Sequence, residues 1–158
     1  MSLDGKVCVV TGGARGIGEA IGRRFGAGGA TVAVWDVDGD DAARTAASIG
    51  GSGHACDVSR RAHVEAAAAA TLERHGRIDV LVNNAGVAIA GPTESVSDED
   101  WDVSIGIMQT GVFLSSQAVG RHMLDRRSGA IISISSINAS EASRCGSPTA
   151  PPRRLSWR

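Results

Sequence analysis

A chain of 158 residues with 42% hydrophobic content and a formal net charge of -1 describes one globular domain of ordinary size. With 16 basic residues against 17 acidic ones and 3% aromatic content, nothing marks a nucleic-acid binder. Cys8, Cys56 and Cys145 are odd in number and far apart, which fits neither a disulfide framework nor a zinc site, so no metal is expected. Residues 1–4 lead straight into the first apolar run and leave no room for a targeting peptide, so the expected location is the cytoplasm.

In chain order, the apolar run Val7-Cys8-Val9-Val10 predicts a buried strand. A glycine-rich turn, Thr11 to Gly18, a helical segment and a second apolar run ending in Asp36 follow. Gly12 allows a sharp turn out of the strand, Gly16 allows close approach of a pyrophosphate, and Gly18 lets the helix lie near the sheet. The helix then starts with free N–H groups and its positive dipole end toward the diphosphate. Asp36 stands at the offset where a carboxylate accepts hydrogen bonds from ribose hydroxyls.

Residues 40–49 predict a helix with Ala43, Ala46 and Ala47 on one side, stopped by Gly50-Gly51. A short strand at residues 54–56 ends in Asp57-Val58, and residues 61–75 predict an alanine-rich helix stopped by Gly76. Residues 80–82 predict a fourth strand leading into Asn83-Asn84-Ala85-Gly86. Ser97 with Asp100 marks the start of a long helix reaching about Arg126, with Trp101, Ile105, Met108, Val112, Val119 and Met123 as one apolar packing face. Residues 103–120 carry no charge, but Ser104, Gln109, Thr110, Ser115, Ser116 and Gln117 interrupt the run, which indicates a buried helix and not a membrane span. Residues 130–134 predict a fifth strand with Ser135-Ser136 at its carboxyl end. This alternation predicts an α/β fold, a doubly wound, Rossmann-like parallel sheet of five strands with helices on both faces.

Four motifs in order, Thr11 to Gly18 as TGxxxGxG, Asp57-Val58, Asn83 to Gly86 as NNAG, and Ile134-Ser135-Ser136, give a chain that resembles the short-chain dehydrogenases/reductases from residue 3 to about 140. The resemblance implies an NAD-binding domain over residues 1–140 and hydride transfer between nicotinamide and a small-molecule alcohol or carbonyl. It implies that Gly12, Arg15, Gly16, Ile17 and Gly18 line the pyrophosphate, Asp57 and Val58 the adenine, and Asn84, Ala85 and Gly86 the ribose and nicotinamide. Asp36 then selects NAD over NADP, because a carboxylate repels a 2′-phosphate. Ser136 matches the family's catalytic serine.

The family's catalytic tyrosine has no match, because the chain contains none, and the partner lysine is missing because Lys6 is the sole lysine. Met108 occupies the position the family usually fills with asparagine, and a thioether is a weak acceptor. None of His54, His63, His75 and His122 stands near Ser136 as a substitute base. Residues 141–158 form a basic tail with Pro148, Pro151 and Pro152 and no periodic apolar pattern, which predicts disorder. Reading the back-translated codons from Pro148 onward in a shifted frame allows Tyr-x-Ala-Ser-Lys-Ala-Ala-Val-Val-Ala, the family's tyrosine-lysine helix. Three readings stay open: an NAD-dependent oxidoreductase lacking its catalytic pair, a non-catalytic NAD-binding module, and a frameshifted or truncated product. No nucleic-acid or membrane partner is expected, nor the family's usual homo-oligomer, whose tyrosine-lysine helix is absent.

Overall fold

The structure is a computed structural model, and it describes residues 2–89 and 92–136. The expected tail, Cys145 and the boundary near residue 140 lie outside the described residues. Five parallel strands form one sheet in the order β3-β2-β1-β4-β5. They are β1 (Val7–Thr11), β2 (Thr31–Asp36), β3 (Ser52–Ala55), β4 (Val80–Asn83) and β5 (Ala130–Ser133). The chain winds outward from β1 to β3, then returns to the other side of β1 for β4, which makes the gap between β1 and β4 the point where strand order reverses.

Every residue of β1 is buried, as a central parallel strand requires, because helices cover both of its faces. Alternate strand residues feed two cores. Cys8, Val10, Val32, Val34 and Val82 pack on one face with Ile21 and Phe25 of α1 (Gly16–Gly26) and Ala42 and Ala46 of α2 (Gly39–Ser48). Val9, Ala33, Trp35 and Leu81 pack on the other with Val64, Ala67 and Ala68 of α3 (Arg61–His75) and Leu114, Val119 and Met123 of α5 (Gly111–Asp125). Trp35 is fully buried, and its indole N–H donates to Thr71 Oγ1 at 3.1 Å, which ties β2 to α3.

Two helical faces differ from expectation. In α2 the buried residues are Ala42, Thr45 and Ala46, whereas Ala43 and Ala47 are exposed. Thr45 takes the inner position because its hydroxyl donates to Ala14 O at 2.8 Å, so a polar side chain holds the glycine turn from below. The long helix is divided: α4 (Asp98–Ile105) passes through a π turn, Gly106–Thr110, into α5. An i→i+5 turn shifts the angular register, so one apolar stripe does not run the whole length. Val119 and Met123 are buried as expected, but Trp101 is 61% and Met108 47% exposed.

At the amino ends of the strands, Asp79 is buried and accepts from Val7 N–H at 3.0 Å, with Arg77, Arg126 and Lys6 around it. Burial raises its carboxyl, but the bonds from Arg77 and Val7 and the charges of Arg77 and Lys6 outweigh that and hold it below the usual range. No helix among the described residues is long and apolar enough to cross a membrane.

Candidate functional site

The site lies at the carboxyl end of the sheet, where the glycine turn after β1 meets the segment after β4. Thr11 Oγ1 accepts from Asn84 N–H at 3.0 Å and from Ala85 N–H at 3.1 Å. In return Asn84 Nδ2 donates to Thr11 O and Gly12 O, both at 3.0 Å. These four bonds clip the two segments together across the reversal in strand order. The first asparagine of the pair, Asn83, is buried and donates from Nδ2 to Ser116 Oγ at 3.1 Å, so it anchors the segment to α5.

The clip explains one glycine, and an open position explains another. A Cβ on Gly18 would sit 2.1 Å from Gly12 O and 2.6 Å from Asn84 Nδ2, so any side chain there would force α1 away from the turn. Gly16 has φ +60° and open space around its Cβ position. It begins α1, whose first turn has no side-chain cap and is left with free N–H donors for an anion. By contrast α2 and α4 are capped, by Asp38 and Ser97.

Asp36 is buried at the end of β2. Its Oδ2 accepts from Ala14 N–H at 3.0 Å and its Oδ1 from Asp38 N–H at 3.2 Å, so the carboxylate braces the glycine turn as well as lining the site. Asp57 Oδ1 accepts from Ser59 N–H at 3.0 Å and from Ser59 Oγ at 2.6 Å, and Arg60 pairs with Oδ2 at 3.3 Å. Burial raises the Asp57 carboxyl, but the Ser59 bonds and the Arg60 and His63 charges hold it below its ordinary value.

A cleft of about 990 Å³ runs over these residues, at the upper end of the volume that small-molecule sites occupy. Of the expected residues, Gly12, Arg15, Ile17, Asp36, Asp57, Val58, Asn84, Ala85 and Gly86 line it. Gly16 and Gly18 do not. Gly18 packs against Gly12 and Asn84, the close helix approach read for it from the sequence. Ser136 is exposed beyond the carboxyl end of β5 and is not among the lining residues. Met108 lies beside Gly86, with its Cγ and Sδ 3.9 Å from the position of a Cβ there.

The sequence reading missed the contribution of α4. Glu99, Asp102 and Val103 of α4 line the cleft, followed by Gly106 and Ile107 of the π turn, and their spacing is that of one helical face. The signal was present, but mixed acidic and apolar residues do not read as a stripe, and the apolar positions around Trp101 drew the assignment to a different face. Val37, 72% exposed beside Asp36, and the buried Cys56 complete that end of the cleft. Burial, with Asp57 and Asp36 nearby, pushes the Cys56 thiol up to about 12, so it serves as an apolar wall and not as a nucleophile.

A family model described as short chain dehydrogenase matches residues 6–148. The chain is 46% identical over 145 residues to D-threitol dehydrogenase of Mycolicibacterium smegmatis, covering 89% of this chain and 56% of that protein. It is 37% identical over 139 residues to 2,3-dihydro-2,3-dihydroxybenzoate dehydrogenase of Bacillus subtilis, covering 85% and 53%. Among solved structures it is similar to 3-ketoacyl-(acyl-carrier-protein) reductase from Brucella melitensis complexed with NADH. That likeness has a TM-score of 0.84 and 36% identity over 87% of this chain and 60% of that one. The chain thus spans about half the length of the curated relatives it matches.

Proposed function

The chain belongs to the short chain dehydrogenase family, and from that premise we propose that its cleft binds a nicotinamide dinucleotide, NAD in preference to NADP. The observation that carries this reading is the buried Asp36 carboxylate, fixed in the cleft lining by two backbone N–H groups and still holding acceptor capacity for ribose hydroxyls. Asp57, Glu99 and Asp102 add negative charge to the lining, with Arg15 as the one cation among its described residues, so a 2′-phosphate meets a repulsive field. The uncapped first turn of α1 and the open space at Gly16 suit a pyrophosphate. The NADH in the Brucella reductase supports the same class of ligand.

When bound, the nicotinamide supplies a hydride acceptor or donor. The family's substrates in this reading are small alcohols or carbonyl compounds, and their oxygen needs a proton donor or acceptor within reach. This chain has no tyrosine, and its sole lysine, Lys6, stands at the opposite end of the sheet, 4.0 Å from Asp79. Ser136 has neither of those partners, and the Met108 thioether is a weak acceptor where an amide would hold a relay water. We therefore read the chain as a dinucleotide-binding domain that does not turn its cofactor over. Its buried free thiols, Cys8 and Cys56, suit a reducing cytoplasm. Calorimetric titration with NADH followed by a turnover assay tests both halves: binding without turnover is expected, and absence of binding or robust turnover contradicts it.

A further inference from the structure

Away from the cleft, three side chains converge on one point. Ser52 opens β3 and is buried; His54 lies two residues along the same strand, on the same face. His75 is the last residue of α3. Ser52 Oγ is 3.0 Å from His54 Nε2 and 2.9 Å from His75 Nε2. Both rings are half-buried, and Ser52 is buried.

One hydroxyl carries one proton and can satisfy one imidazole acceptor. The two rings must therefore take unlike tautomers, one accepting from Ser52 and one donating to it. Burial lowers both imidazoles below their ordinary value, helped at His54 by the His75 and Arg74 charges and at His75 by Arg74. A neutral imidazole nitrogen is the form that ligates a metal, and each ring brings Nε2 to the same oxygen.

We propose that His54 Nε2 and His75 Nε2, with Ser52 Oγ beside them, form a site for a borderline divalent transition metal, Cu(II) or Zn(II), that clasps the β3 edge to the end of α3. Two nitrogens that already approach the same oxygen need only small rotations to reach about 2.0–2.1 Å from a shared ion. No group of three His, Cys, Asp or Glu side chains suited to a metal occurs among the described residues, so water completes the coordination sphere. The Arg74 charge opposes any cation there, so an ion with high intrinsic affinity for imidazole is required. Cu(II) therefore binds more tightly than Zn(II), and Mg(II), which takes oxygen ligands, does not bind.

The test uses tag-free chain and the metals alone. Saturating Zn(II) should raise the melting temperature by roughly 5 °C, and Mg(II) should leave it unchanged. His54→Gln and His75→Gln should each abolish the rise, while His63→Gln, on the exposed side of α3, should keep it. Cu(II) electron paramagnetic resonance gives a readout independent of stability, with coupling to two nitrogens expected in the unmutated chain and one in either variant. No shift with Zn(II) together with a free-ion copper spectrum would overturn the proposal, as would a shift that survives in both His54→Gln and His75→Gln.

Discussion

The two sides of the sheet about β1 are buried to different degrees. On one side β1 and β2 are buried along nearly their whole length, and their carboxyl ends carry the glycine turn and Asp36. On the other, every residue of β5 is exposed, with Ile131 at 43% and Ile132 at 44% on opposite faces of the strand. A parallel strand with apolar residues on both faces is built for the interior of a sheet. The cleft spans both sides, with the glycine turn and Asp36 on the closed one and Asn84, Ala85 and Gly86 beyond β4, while Ser136 follows the open edge.

The largest effect expected concerns turnover. In an NAD-linked oxidation assay over a panel of secondary alcohols, the chain as written should be slower by at least ~10²–10⁴-fold than a version whose reading frame is restored between about residues 141 and 148 to return the tyrosine and lysine. Robust turnover by the written chain, or a restored frame without that pair, would remove the explanation.

Stability should divide along the same line. Trp35→Ala removes a fully buried side chain and the partner of Thr71, and should cost about 3–5 kcal/mol in chemical denaturation. Ile132→Ala, on the open side, should cost about 1 kcal/mol. Equal losses would show that β5 is as much core as β2.

The clip between the two segments of the site comes next. Thr11→Val leaves the N–H groups of Asn84 and Ala85 without their acceptor and should cost about 1–3 kcal/mol, with weaker NADH binding, whereas Thr11→Ser should keep most of both. A silent Thr11→Val would mean that packing alone holds the segments together.

The smallest expected effect is the pH dependence. His54 and His75 are lowered in the fold, so the unfolded chain binds more protons and stability falls as pH drops through about 6.5. Asp57 and Asp79 are lowered too, and their contribution, present above about pH 4, is lost below it. Melting temperature against pH should show both declines, and His75→Gln should flatten the upper one.

Much of this was legible in the sequence where one physical rule dominates. The turn from Thr11 to Gly18, the acid at the end of β2 and the Asn83 to Gly86 segment carry local constraints that only certain residues satisfy, and Gly12, Asp36 and Asn84 meet around one cleft. What escaped depends on pieces brought together by tertiary packing. The cleft-facing side of α4 is written in mixed chemistry, and the π turn at Gly106–Thr110 breaks the angular count on which a periodic face depends. Thr45 displaced alanine from the inner face of α2 because a carbonyl at Ala14, far away in sequence, needed a donor. Ser52, His54 and His75 read as unrelated polar residues until β3 and the end of α3 meet.

The most direct test of the central claim is calorimetry with NADH and NADPH on the unmutated chain and on Asp36→Asn. Asparagine keeps one acceptor, for the shorter bond from Ala14 N–H, gives up the bond from Asp38 N–H and removes the charge, so the repulsion of a 2′-phosphate is reduced. The account predicts tighter binding of NADH than of NADPH by the unmutated chain, and a narrower gap in Asp36→Asn. Equal affinity for the two in the unmutated chain, or no binding of either by a folded protein, would contradict it.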